Sequence, residues 1–432
     1  MSSIVIACVP VHGHVMPLLA VAKYLVERGD RVRFLTGSRF AEAVRATGAE
    51  HLPLPEEADF DDREVVHETF PERAELKGAK AIAFDLEHLF VRPGRAQYDA
   101  VMAAHQQAPA DVLLVETAFV GGAFLLGGRL GARPPLVVAG VIPLPIASRD
   151  TAPYGMGLLP LRGPLGRLRN RLLSTVAART VFPRAERVAE RINRDLHGVR
   201  LSFPVMDWAR HAEAIVQFTV PEFEYPRSDA PPTLHFAGPI TGTGLRTPLP
   251  PWWDDLDGTR PVVHVTQGTI ANRDYRQIIA PTLTALADED LLVVVATGGR
   301  PLDTLPRLPA NARAAEYLPY DELLPKTDVF VTNGGYGGVQ LALRHGVPIV
   351  TSGGKEDKPE VAGRIQWSGV GRRLRSETPS PRAVGGAIRS VLRDPGYRTS
   401  AERMSASMAA AGGMALLADV VDEVVALKPP GG

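Results

Sequence analysis

The sequence predicts an α/β protein made of two doubly wound parallel-sheet domains, and three observations carry that prediction. A chain of 432 residues is longer than one hydrophobic core sustains, since single cores rarely grow past ~250–300 residues. Buried apolar runs alternate with amphipathic helical stretches from the first residues onward, which is the pattern of βαβ units with right-handed crossovers. A proline-crowded stretch interrupts this alternation, and a second alternation starts after Pro261.

Composition narrows the function classes. Lys+Arg and Asp+Glu each total 48, so no net field draws nucleic acid or an acidic partner. Cys8 is the single cysteine, which excludes an intramolecular disulfide and a Cys-based zinc site and fits a reducing, cytoplasmic home. The opening Met-Ser-Ser-Ile-Val-Ile-Ala lacks a basic n-region and reads as a first strand rather than a signal peptide. Residues 112–128 form the most apolar long stretch, but they include Glu116 and fall short of the ~20 apolar residues a bilayer span needs.

Taken in order, residues 3–10 are a buried apolar strand, 16–28 carry apolar side chains at helical spacing, and 31–36 are the next strand. Pro17 is expected in the first turn of that helix, where proline is tolerated, and Gly29 at its end. Residues 111–115 and 136–141 supply further strands. Residues 160–198 turn helical and arginine-rich between Arg162 and Arg194. A basic amphipathic face of this kind suits a membrane bearing a lipid acceptor; Glu186 and Glu190 in i,i+4 pairs suit a solvated face, the reading preferred here.

Prolines then crowd the stretch from Pro221 to Pro251. The second alternation runs through strands 262–266, 291–297, 329–332 and 348–351, with helices at 275–287, near 320–324, and at 339–345. A last helix is expected at 415–427, before a structureless Lys-Pro-Pro-Gly-Gly tail. The expected division is therefore 1–220, a linker at 221–260, 261–408, and a terminal helix within 409–432 that returns to the first domain.

In Thr332-Asn333-Gly334-Gly335-Tyr336-Gly337-Gly338-Val339-Gln340 a strand runs into a glycine loop and directly into a helix. Glycines let backbone approach a ligand closely, and the helix start offers unpaired N–H groups with about half a positive charge. That combination suits a diphosphate. The loop is not a Walker loop, since no Gly-Lys-Ser/Thr follows, and a G-x-G-x-x-G reading would put its third glycine at Gln340.

From Tyr317 to Glu360 the run YLPYDELLPKTDVFVTNGGYGGVQLALRHGVPIVTSGGKEDKPE resembles the donor-binding signature of the nucleotide-sugar-dependent glycosyltransferases, the UDP-glycosyltransferase family. The likeness is to its bacterial macrolide and natural-product branch. It extends to the N-terminal GHVMP segment, to Thr266-Gln267-Gly268-Thr269 and to Phe236-Ala237-Gly238-Pro239, covering essentially the whole chain and weakest near residues 55–95. The resemblance implies the GT-B fold, two facing Rossmann-like domains, with the acceptor on the first and a UDP- or dTDP-sugar on the second.

The resemblance implies that Tyr317 stacks on the nucleobase and that the backbone of Leu318 reads its edge. It puts Gly268 and Thr269 at the phosphate, and Asn333, Gly334, Gly335, Gly337 and Gly338 around the diphosphate. Asp357 and Lys358 stand where an acidic residue and a glutamine bind the sugar hydroxyls. Four positions depart from the pattern. Asn333 replaces a phosphate-touching histidine, Gly338 a hydroxyl side chain, Lys358 the glutamine, and Leu341 the glutamate that grips the ribose. The last change implies tolerance of, or preference for, a thymidine diphosphate donor.

At the reacting end, transfer with inversion needs a base for the acceptor hydroxyl and a group that fixes the base's tautomer. His14 is the candidate, on the loop leaving the first strand, where carboxyl ends of parallel strands face a crevice. The family's base is the histidine of this Gly-His-x-x-Pro motif, and His12 is the runner-up. The resemblance implies an orienting carboxylate in an Asp-x-x-x-x-Asp spacing, which falls at Glu116 from Asp111, or at Thr117 when counted back from Gly131; Glu116 is chosen because a carboxylate raises imidazole basicity. No metal or other cofactor is expected, and Asp255-Leu256-Asp257 reads as loop. Acceptor contacts are expected from His12, Phe84, Phe90, Tyr154 and Met156, on loops that also carry Phe60 and Phe70 and suit a small apolar hydroxylated molecule. Two other functions fit the architecture, a nucleotide-sugar 2-epimerase and a non-catalytic nucleotide-sugar-binding auxiliary protein. A nicotinamide dehydrogenase lacks its fingerprint in either half.

Overall fold

A computed structural model of the chain describes residues 1–62, 70–128, 133–240, 247–269, 272–354 and 357–427. Gly131 and the tail at 428–432 lie outside the described residues. Two all-parallel sheets organise the rest. The first has seven strands in the order β3-β2-β1-β4-β5-β6-β7: β1 Ser3–Ala7, β2 Arg31–Thr36, β3 Glu50–Pro53, β4 Val112–Glu116, β5 Leu136–Gly140, β6 Ala214–Gln217 and β7 Leu234–Phe236. The second has six, in the order β10-β9-β8-β11-β12-β13: β8 Val262–Thr266, β9 Leu292–Ala296, β10 Ala312–Ala315, β11 Val329–Thr332, β12 Ile349–Thr351 and β13 Gly371–Arg373.

Each sheet is buried on both faces, which is why its central strands read as unbroken apolar runs. In β1, Ile4 and Ile6 enter one core layer and Val5 and Ala7 the opposite one, the period-two division a strand imposes. In β11, Val329 and Val331 face one layer and Phe330 the other.

Several sequence-based boundaries shift. The first helix spans His12–Glu27, four residues earlier than expected, so His12 and His14 belong to its first turn and not to a loop. Pro17 then falls in the second turn, where it removes one hydrogen bond, that to the Gly13 carbonyl, without ending the helix. The helix after the glycine loop spans Tyr336–Arg344, taking Gly337 and Gly338 into its first turn. The proline-rich stretch is not all linker: Leu234–Phe236 pairs in parallel with β6 at the sheet edge, where proline-flanked segments still find partners. The short edge strands β3, β7, β10 and β13 lack the buried apolar run that marks β1 or β11 and, like β6, were not foreseen.

The final helix, Gly413–Ala426, packs Leu417, Val420, Val421 and Val424 into the first domain's core, and Asp422 pairs with Arg28 at 2.9 Å. In the arginine-rich region, helix Gly163–Thr180 turns Gly166, Asn170 and Ala177 inward and leaves Leu165, Leu168, Leu172 and Val176 exposed. Of the two expected i,i+4 glutamates, Glu190 pairs with Arg194 at 3.2 Å, whereas Glu186 instead accepts the backbone N–H of Val205 at 3.1 Å. Among the described residues no single helix is long and apolar enough to cross a membrane.

Candidate active site

Both sheets reverse their winding between two neighbouring strands, β1 and β4 in the first and β8 and β11 in the second. Open α/β sheets bind ligands at such points, outside the strands' carboxyl ends. The four loops that leave these strands line one cleft of about 3600 Å³ between the domains.

On the first wall, Ala7 of β1 stands in register with Val115 of β4, so the residues that follow each strand meet. His14 Nδ1 lies 3.0 Å from Glu116 Oε1, within ion-pair reach although its N–H is not aligned on that oxygen. Such alignments commonly tighten only when substrate binds. Glu116 is fully buried, and the same oxygen accepts the Ala118 N–H at 2.7 Å. Thr117 instead turns its hydroxyl to the Ala139 carbonyl, so the carboxylate beside the imidazole is that of Glu116. Burial by itself would lower the His14 pKa; the Glu116 carboxylate, helped by Asp357 and Asp62, outweighs it, and the net shift is upward.

His12 lines the same cleft. Its backbone N–H, one of the unpaired donors of a helix start, is taken by Asp62 Oδ2 at 2.7 Å, and Arg39 ties Asp62 in place at 2.5 Å. Burial lowers the His12 imidazole. Nothing in the local sequence pointed to Asp62, which lies far along the chain.

On the second wall a Thr-x-Gly sequence closes three adjacent strands. The hydroxyls of Thr266, Thr332 and Thr351 accept the N–H groups of Gly268, Gly334 and Gly353 at 3.2, 3.2 and 3.3 Å. All three glycines have positive φ, 71°, 96° and 51°, a conformation L side chains rarely adopt. A Cβ on Gly335 or Gly337 would meet nothing within 4 Å, so these glycines leave open space before the N–H groups of the helix start. Asn333 is buried, and its Nδ2 donates to the Gln267 carbonyl at 3.1 Å, bracing the two loops against each other across the switch point. Asp357 and Lys358 begin the helix Lys358–Trp367 and line the cleft, and a Cβ on Gly334 would lie 3.5 Å from the Cβ of Lys358.

Tyr317 and Leu318 also line the cleft. Tyr317 is half-exposed, and its hydroxyl lies where a side chain on Gly299 would stand. Gln340 is turned away, accepting the Thr219 hydroxyl at 3.1 Å, and Leu341 faces the cleft in its place.

Of the residues expected at the acceptor, Phe90, Tyr154 and Met156 line the cleft, as does Phe60. Phe84 does not: it is buried in helix Gly78–Asp85 and stacks at 4.1 Å on His88, which takes the lining position. Sequence spacing could not say which of the two reaches the cleft, because residues four apart share one helical stripe. Asp255 pairs with Arg313 at 2.5 Å and Asp257 closes a turn onto Thr259, and neither lines the cleft.

The chain is 40% identical, over 98% of its length and 99% of the relative's, to 4'-demethylrebeccamycin synthase of Lentzea aerocolonigenes. It is 34% identical to UDP-glycosyltransferase 2 of Phaeomoniella chlamydospora, across 98% of this chain and 96% of that one. The structure of CalG4, the calicheamicin glycosyltransferase, has the same fold with a TM-score of 0.75 at 23% identity, covering 100% of both chains. The family described as "Erythromycin biosynthesis protein CIII-like, C-terminal domain" matches residues 280–427. With two facing sheets, and a cleft that opens on the carboxyl ends of both, the chain belongs to the UDP-glycosyltransferase family, on its bacterial macrolide and natural-product branch, and is a glycosyltransferase of GT-B fold.

Proposed function

We propose that the protein transfers a sugar, with inversion, from a UDP- or dTDP-sugar to a hydroxyl of a small apolar acceptor, with His14 as general base. The observation that carries this reading is the 3.0 Å approach of His14 Nδ1 to the buried Glu116 carboxylate on the wall opposite the glycine loop. With its Nδ1 proton held toward Glu116, the imidazole keeps a lone pair on Nε2. That nitrogen takes the acceptor O–H proton as the oxygen bonds to the anomeric carbon. The bond from that carbon to the diphosphate breaks on the opposite face, and its electron pair leaves with the diphosphate. The helix Tyr336–Arg344 meets the developing charge with the N–H groups of its first turn, a preorganised dipole.

Donor recognition in this reading combines Tyr317 and Leu318 at the base, Gly268, Thr269 and the 333–338 loop at the diphosphate, and Asp357 with Lys358 at the sugar. Leu341 offers no carboxylate to a ribose 2′-hydroxyl, and Gln340 is occupied by Thr219. A thymidine diphosphate donor, which has no such hydroxyl, therefore loses nothing at this site. Titration with UDP and dTDP tests the point, and a clear preference for UDP would remove it. The whole reading is tested by incubating a panel of nucleotide sugars with hydroxylated aglycones and following products by mass spectrometry. Acceptor-dependent transfer with inversion is expected; a sugar altered without any acceptor would overturn it in favour of an isomerase.

A further inference from the structure

The donor-domain helix Lys358–Trp367 starts beside the glycine loop and is held to the acceptor domain through two buried carboxylates, Glu360 and Glu224. Glu360, in its first turn, accepts with Oε1 the backbone N–H groups of Gly155 at 3.0 Å and Gly157 at 2.8 Å. Its Oε2 takes Arg364 Nη1 at 2.8 Å. Arg364 has no exposed surface and donates through Nε and Nη2 to Glu224 Oε2 at 3.0 and 2.7 Å. Glu224 in turn accepts the Leu144 N–H at 2.9 Å. The segment that follows β5 is therefore tied at both ends to one chain of alternating charges.

Glycines on both sides make the contact close. A Cβ on Gly157, whose φ is 56°, would meet the Pro359 carbonyl oxygen at 2.4 Å, and one on Gly363 would meet the Tyr225 hydroxyl at 2.4 Å. Burying carboxylates and a guanidinium this way gains little stability over apolar packing, but it fixes register. What it fixes is a loop that presents Tyr154 to the cleft, with a buried hydroxyl that has no hydrogen-bond partner among the described residues.

We infer that Glu360 is a positioning residue: it holds Gly155 and Gly157 so that Tyr154 keeps its place in the cleft lining, and it couples that loop to donor occupancy through the helix that Asp357 and Lys358 begin. The coupling rests on the donor-site reading above; the positioning does not. Linkage is reciprocal, so a donor that steadies the helix tightens the loop by the factor by which a steadied loop tightens the donor.

Hydrogen exchange on the full chain, alone and with saturating UDP-glucose or dTDP-glucose, tests both parts. Without ligand, Glu360→Ala is expected to speed exchange at Gly155 and Gly157 about 100-fold, while exchange in β8 and β11 is unchanged. Glu360→Gln, which keeps an acceptor oxygen for the two amides, should restore protection to within about threefold. Unchanged exchange in the Ala variant, or loss of protection in the Gln variant equal to that in Ala, would overturn the positioning role. A bound nucleotide sugar should slow exchange across residues 151–157 in the parent chain but not in Glu360→Ala; binding without that difference would overturn the coupling. If neither nucleotide sugar binds, the donor-site reading fails, and the ligand-free comparison still decides the role of Glu360.

Discussion

The two walls of the cleft are built on the same topological switch and furnished in opposite ways. After β1 and β4 the acceptor wall places titratable side chains, His14 against Glu116 at 3.0 Å. After β8 and β11 the donor wall strips side chains away, with glycines whose absent Cβ leaves open space and an asparagine spent on bracing one loop against the other. On the function proposed above, the difference follows from what each wall would hold. Proton transfer needs a tuned side chain, whereas a diphosphate is met by backbone N–H groups and a helix dipole. A second histidine sharpens the contrast. His264, in β8 of the donor domain, is buried between the Val294 carbonyl and the Tyr320 hydroxyl at 2.9 and 3.1 Å, and burial drives its pKa down to about 4. Burial acts on His14 in the same direction, and only there does a carboxylate reverse the outcome.

The sharpest way to break this contrast is His14→Ala. Transfer should fall by about three or more orders of magnitude, the upper range for losing a general base, while UDP or dTDP binding measured by calorimetry stays within about twofold. Retained turnover would remove His14 from the chemistry. Glu116→Gln should cost less, about 10- to 100-fold, as for the loss of a group that orients a histidine. It should also shift the pH profile. The raised pKa keeps His14 protonated, and so inactive as a base, to higher pH than an ordinary histidine; without the carboxylate the acid limb of kcat should move to lower pH.

On the donor wall, Gly334→Ala puts a side chain at a φ of 96°, a cost of about 1–2 kcal/mol. Nucleotide binding should weaken about 10-fold, and the acid limb should stay where it is. The smallest change is expected from Leu341→Glu. A carboxylate restored at the ribose position should improve UDP binding relative to dTDP by about fivefold, the scale of one hydrogen bond; an equal effect on both nucleotides would show that the ribose lies elsewhere.

The glycine loop at 333–338, the central strands and the Gly-His-x-x-Pro segment were legible because each is a local pattern. Apolar runs of strand length, glycines before a helix start and a proline near a helix N-terminus all lie within about ten residues of one another. Helix starts were misjudged by three or four residues at both His12 and Tyr336, since in each a glycine-containing stretch that looks like loop is already helical. Phe84 was misassigned because a helical stripe does not say which of its members reaches the surface.

By itself, then, the sequence determined two parallel-sheet domains, the class of enzyme and the segments that face the cleft. Tertiary structure alone decided that Glu116 and not Thr117 meets His14, because that depends on the register of β4 against β1. It alone brought Asp62 to the first helix, turned Gln340 toward Thr219 and set Glu360 against Gly155 and Gly157. These contacts join residues far apart in the chain, and parallel strands, separated by whole helices, carry no local signal of which residues will stand side by side.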